Sequence, residues 1–170
     1  MTTYVYQQLL PISEPSDRET LRVLFSAIVD RLSSQTLGNA GLVIKAGGGI
    51  LAKTGATATS AVANGTLLSI AAATDMASLA GTTAQNTFNV YCFFIDAAGA
   101  LTTLMGTAGA TLALVKFPPI PVGKAMIGFI TVNPTTAAFI GGTTALDAAN
   151  TNVVYVNTQG AFDPTVLINM

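Results

Sequence analysis

Past residue 41 the chain carries four carboxylates, Asp75, Asp96, Asp147 and Asp163, and any acid–base chemistry would have to reside there. Two carboxyl groups that meet in space can divide their roles, one protonated and one ionised, as in glycoside hydrolysis. Here each is isolated in sequence. Asp96 precedes the turn Ala97-Ala98-Gly99, Asp147 falls in a loop and Asp163 precedes Pro164. Aspartate at such places caps its own backbone, and capping is the expected role. Histidine is absent, which removes the commonest general base, the usual triad partner and the commonest zinc ligand. The single cysteine, Cys92, excludes an internal disulfide and a thiolate metal cluster, and its apolar surroundings mark it as a small buried hydrophobe. The run Lys45-Ala46-Gly47-Gly48-Gly49-Ile50 lacks the Gly-Lys-Ser/Thr ending of a phosphate loop, and no helix pattern follows it. It reads as a turn. Asp96–Gly99 lacks the oxygen ligands of a calcium loop. Asn64-Gly65-Thr66 fits a glycosylation sequon, read as chance in the absence of a secretory route. No enzyme activity, metal or cofactor is expected.

The elements that would position a site are read first from charge. Residues 1–31 hold Glu14, Asp17, Arg18, Glu19, Arg22, Asp30 and Arg31. The rest of the chain holds only Lys45, Lys53, Asp75, Asp96, Lys116, Lys124, Asp147 and Asp163. Charged residues make up 9% of the 170, against about 25% in an ordinary soluble domain. Charge keeps soluble surfaces apart, so much of this surface is expected to face other protein. The four lysines are scattered singly, and phosphate neutralisation needs clusters, so nucleic acid is not an expected partner. The longest uncharged stretch, Ala125–Leu146, contains Gly128, Pro134, Gly141 and Gly142, so no membrane-spanning helix is expected. Met1–Leu10 has no basic segment followed by an apolar one, so no secretory signal is expected.

Periodicity divides the chain into an N-terminal arm and helix, 1–40, and a β-rich domain, 41–170. Thr2–Leu10 alternates loosely, with Tyr4 and Tyr6 on one face, and reads as a short strand or extended arm. Ser16-Asp17-Arg18-Glu19 has the form of a capping box. Leu21, Leu24, Phe25, Ile28 and Leu32 then follow on one helical face, with Arg22, Ser26 and Asp30 opposite. Gly38 and Gly41 are expected to stop the helix near residue 37. The stripe can pack on its own domain or on a neighbouring subunit, and both readings stand. With Tyr4 and Tyr6 these five residues form the candidate interface.

Beyond Gly41 the spacing predicts a hairpin of Leu42–Ala46 and Ile50–Lys53 around the three glycines. Further strands are expected at Val62–Ala72, Asn86–Asp96, Ala100–Met105, Leu112–Phe117, Lys124–Asn133, Thr136–Ile140 and Asn152–Asn157. A single helical turn is expected at Asp75–Leu79, and loops at Thr54–Ala63 and Thr107–Thr111. Short strands separated by Gly, Pro and Asn predict a mainly β chain, a β-sandwich or jelly-roll-like barrel carrying one amphipathic α-helix.

Asn64–Thr82 (NGTLLSIAAATDMASLAGT), Phe88–Gly99 (FNVYCFFIDAAG), Phe117–Thr135 (FPPIPVGKAMIGFITVNPT), Gly141–Asp147 (GGTTALD) and Val153–Pro164 (VVYVNTQGAFDP) share a style of Ala/Gly/Thr-rich strands with few charges. In this the chain resembles small virion proteins of tailed bacteriophages, in particular capsid decoration or cement proteins. Residues 1–40 take no part in the resemblance. It implies a β-rich structural protein, a homotrimer, bound on the capsid surface of a virion assembled in the host cytoplasm. Its partners would be the major capsid protein and copies of itself, with no small-molecule substrate. Two other readings stand beside it. One is a tail, neck or fibre-associated virion component. The other is a carbohydrate-binding module, against which the absence of Trp and the presence of only four tyrosines count.

Overall fold

The computed structural model describes residues 15–162. Tyr4, Tyr6 and the rest of the expected arm, together with Asp163, lie outside the described residues. The chain is mainly β and sandwich-like, with one α-helix near its N-terminus. That helix, α1 (Pro15–Ser33), is followed by short strands: β1 (Gln35–Thr36), β2 (Val43–Ile44), β3 (Ala52–Lys53), β4 (Thr59–Ala63), β5 (Thr66–Ile70), β6 (Thr82–Thr83), β7 (Asn89–Ile95), β8 (Leu101–Met105), β9 (Ala125–Pro134), β10 (Phe139–Ile140) and β11 (Thr151–Asn157).

A four-stranded antiparallel sheet, ordered β11-β9-β7-β8, forms the centre. Every residue of β7 is buried, because both of its faces are covered. Tyr91, Phe93 and Ile95 pack with Leu42, Ala61, Ile70 and Phe139 on one side. That layer is built from the sheet β1-β4-β5 and the pairs β2-β3 and β6-β10. Val90, Cys92 and Phe94 pack with Val115, Met126 and Phe129 on the other side, where Phe117 and Phe162 close over them. Among the described residues no sheet closes on itself, which is the arrangement of a sandwich-like fold.

Local chemistry explains the hairpins. Asn64 and Gly65 both adopt positive φ (47° and 76°), the two-residue loop whose twist suits a β-hairpin, and they join β4 to β5. Opposite β7, strand β9 takes one extra residue. Phe93 pairs with Gly128 but Phe94 pairs with Met126, which leaves Ile127 as a bulge. Gly128 is required there, since a Cβ would lie 2.5 Å from the Val156 carbonyl oxygen and 2.6 Å from Leu42 Cδ1.

Several local expectations are corrected. The helix starts at Pro15, so Ser16 lies within its first turn and not ahead of it. Pro is well suited to that first turn, where no N–H is needed. The helix ends at Ser33, short of residue 37, because Gln35 and Thr36 pair with Val62 and Ala61. Val62–Ala72 is no single strand. The chain reverses at Asn64-Gly65, and β4 occupies part of the segment expected as a loop. Asp75–Leu79 forms no helical turn. The Met76 N–H donates to the Ala52 carbonyl, and Met76 and Leu79 point into the core. Leu112–Phe117 is not a strand; Leu112–Leu114 makes a 3-10 turn, and only Lys116 bridges back, to Thr107.

Candidate assembly interface

Of the four carboxylates past residue 41, the three among the described residues, Asp75, Asp96 and Asp147, are each engaged separately. The Asp96 side chain accepts from the backbone N–H groups of Ala98 (3.0 Å) and Ala100 (2.9 Å), capping its turn as the sequence predicts. Asp147 accepts from the Gly48 N–H (2.7 Å), so the glycine turn between β2 and β3 is tied down by a carboxylate of the chain itself. Asp75 pairs with Lys45 Nζ (2.6 Å), with both side chains nearly half exposed. Such a surface pair contributes about 0–1 kcal/mol. Among the described residues no three Cys, Asp or Glu side chains gather where they could hold a metal ion. Burial pushes the Cys92 thiol up from its ordinary value. It pushes the Tyr91 phenol up as well, partly offset by the hydrogen bond with Thr83 (3.0 Å). Burial, then the nearby Asp147 charge, raises Tyr155.

The unusual surface is α1. Its apolar side chains are not covered by the β domain: Leu24 is 54% exposed, Phe25 60%, Ile28 45% and Leu32 60%. Of the five residues only Leu21 is half-buried; the other four are exposed. Val29, 62% exposed, was missed by the sequence reading and widens the stripe. The 100° step per residue sets it beside Phe25. Neither buried cluster of the β domain contains a residue of α1.

What fixes the helix is its C-terminal turn. Gly123 N–H donates to Asp30 Oδ1 (2.7 Å). The Arg31 guanidinium is hydrogen-bonded to Asp30 and makes a long contact with the Pro121 carbonyl (3.5 Å). The Gly65 N–H donates to the Ser33 carbonyl (2.9 Å), and the Asn64 N–H to Ser34 Oγ (3.1 Å). Two turns, at residues 64–65 and 121–123, thus grip one end of the helix. An open groove of about 580 Å³ runs between the helix and the first of these, lined by Arg22, Phe25, Ser26, Val29 and Asn64. Nearer the N-terminus the ion pair of Arg22 with Glu19 (3.8 Å) lies along the surface of the helix itself.

Among the described residues, β11 pairs on one side only. It is an edge strand of seven residues, Thr-Asn-Val-Val-Tyr-Val-Asn, with no charge and no proline, so it lacks the usual guards against pairing with another chain. An open depression of about 490 Å³ adjoins it, lined by Ile44, Leu146, Asp147, Asn152 and Tyr155 among others. No helix among the described residues is long and apolar enough to cross a membrane. No family model matches the chain, and no curated protein or solved structure matches it significantly.

Proposed function

We propose that this chain is a structural virion protein, a decoration or cement protein on the capsid of a tailed bacteriophage. The observation that carries the proposal is the apolar face of α1, held at one end and otherwise left clear of its own domain. A contiguous apolar patch on a folded protein marks a protein–protein or membrane contact. The charge-poor β domain and the phage-like style of its strands favour a protein contact within a particle. Among the described residues, Asp75, Asp96 and Asp147 are occupied with turns and surface pairing.

The action is mechanical. Apolar surface buried between this protein, its own copies and the major capsid protein contributes roughly 25 cal/mol per Å². Those contacts must be broken before neighbouring shell subunits can part. The test is quantitative mass spectrometry of purified particles. A copy number on the scale of the shell lattice is the expected result. A copy number on the scale of the tail would move the protein to a tail or neck site, and absence from particles would refute the proposal.

A further inference from the structure

We infer that Asn64 is a deamidation site kept silent by α1, and that its conversion to aspartate or isoaspartate frees the helix from the β domain. Asn64-Gly65 is the single Asn-Gly pair of the chain. Glycine has no Cβ to obstruct the approach of its own nitrogen to the carboxamide before it, so in an open chain this dipeptide reacts readily. The Gly65 backbone nitrogen gives its proton to solvent and attacks Asn64 Cγ. The new N–Cγ bond closes a cyclic imide, the Cγ–Nδ2 bond breaks, and Nδ2 takes a proton from solvent and leaves as ammonia. Water then opens the imide at either carbonyl. One product is aspartate. The other is isoaspartate, whose backbone runs through the former side-chain carbonyl.

The attacking nitrogen is held by the helix. A hairpin with two loop residues leaves their N–H groups outside the strand ladder, whose last pair here is Ala63 with Thr66. The end of α1 takes up both. The Asn64 N–H donates to Ser34 Oγ (3.1 Å) and the Gly65 N–H to the Ser33 carbonyl (2.9 Å). Ser33 closes the helix, so its carbonyl is one that the helix leaves unpaired. While these bonds stand, the Gly65 nitrogen keeps its proton and the loop keeps the positive φ values of its turn. The carboxamide itself is accessible, because Asn64 is exposed and lines the open groove beside α1. Attack therefore waits for the helix to leave. Local openings run on microseconds to seconds, far faster than this chemistry, so the rate follows the fraction of chains whose helix is detached.

The product weakens the grip that delayed it. A carboxylate at position 64 faces the groove that Asp30 also lines. It stands against the last carbonyls of α1, where negative charge opposes the helix dipole. Arg22 lines the same groove but lies roughly 16 Å up the helix from Ser33, where it pairs with Glu19. Isoaspartate also lengthens the loop by one backbone atom, which disturbs the two-residue turn that aims the Gly65 N–H at Ser33. The loss of ammonia makes the change one-way.

The test is peptide mass spectrometry of the full chain incubated at neutral pH, which reads the replacement of ammonia by water at Asn64. The expected result is slow conversion in the folded parent and fast conversion in urea. Asp30→Ala removes the acceptor of the Gly123 N–H at the same helix end and leaves Asn64-Gly65 intact. Conversion in that variant should rise roughly 5–30-fold. Asn64→Asp carries the first product, and should speed hydrogen exchange in α1 with β7 unchanged. Equal conversion in the folded and urea-unfolded parent, or an Asp30→Ala rate equal to that of the parent, would overturn control by the helix. Parental exchange in α1 of Asn64→Asp would overturn the release.

Discussion

Replacing Asp30 by Ala should release α1 from the β domain without unfolding that domain. Asp30 accepts the Gly123 N–H at 2.7 Å and holds Arg31. Both side chains are only 15% exposed, so solvent screens them little. A hydrogen bond to a charged group contributes about 1.5–3 kcal/mol. Against it stands the position of Asp30 in the last turn of the helix, where a carboxylate opposes the macrodipole by about 0.3–1 kcal/mol, and the substitution relieves that. The net loss is about 1–2 kcal/mol, which raises the population of the detached helix roughly 5–30-fold. The assay is hydrogen exchange read by mass spectrometry, because this opening is local and a melting curve of the β domain would miss it. Peptides covering α1 and residues 121–124 should exchange faster by that factor, with β7 unchanged. Asp30→Asn keeps an acceptor but only a neutral bond, at about 0.5–1.5 kcal/mol, and should give a smaller rise. Wild-type exchange in α1 of Asp30→Ala would refute the reasoning, as would an equal acceleration in β7, which would mean that Asp30 supports the whole fold.

Gly128→Ala forces a Cβ against the Val156 carbonyl and Leu42 at the β9 bulge. Overpacking of this kind costs about 1–3 kcal/mol, and Tm should fall by about 2–4 °C per kcal/mol, read by thermal unfolding; an unchanged Tm would mean the bulge has room. Cys92 makes stability depend on alkaline pH. Burial raises its pKa, so the folded thiol keeps its proton while the unfolded thiol ionises above about pH 8.5. In that range the unfolded state binds fewer protons, so stability is fully present below it and declines as pH rises, by up to about 1.4 kcal/mol per pH unit. Cys92→Ala should make the decline shallower in urea unfolding measured across pH, and an identical slope would refute the linkage.

The strongest elements of the β domain were legible because their signals are local. β7 and β9 carry long apolar runs ended by turn residues, and Ala97-Ala98-Gly99 reverses the chain where expected, between β7 and β8. The helix was legible from its stripe. Periodicity, however, tells which residues share a face and not what covers that face. Hence the sequence leaves the Leu24 and Ile28 face open between two readings. The turn that holds α1 was out of reach for the same reason, since Gly123 lies 93 residues from Asp30. Met76 and Leu79 misled because helical spacing and irregular burial are alike over so short a run. Leu112 and Leu114 misled because apolar alternation there marks exposed side chains on a 3-10 turn.

The exposure of α1 differs in kind from the other exposed apolar residues. Leu67, Val122 and Val154 are exposed too, singly and on separate elements, and Leu112 and Leu114 are exposed together on one short turn; apolar side chains scattered on a surface in this way are ordinary. On α1 they are contiguous. The β domain also completes its core without them: both faces of the central sheet are covered by residues that follow Ser33. A helix of 19 residues whose apolar face is largely exposed is marginal in water, because nucleation is unfavourable and most helical stability in proteins comes from a packed face. Ordering each residue further costs about 1–2 kcal/mol of backbone entropy. Among the described residues, the β domain holds α1 through hydrogen bonds at its C-terminal turn.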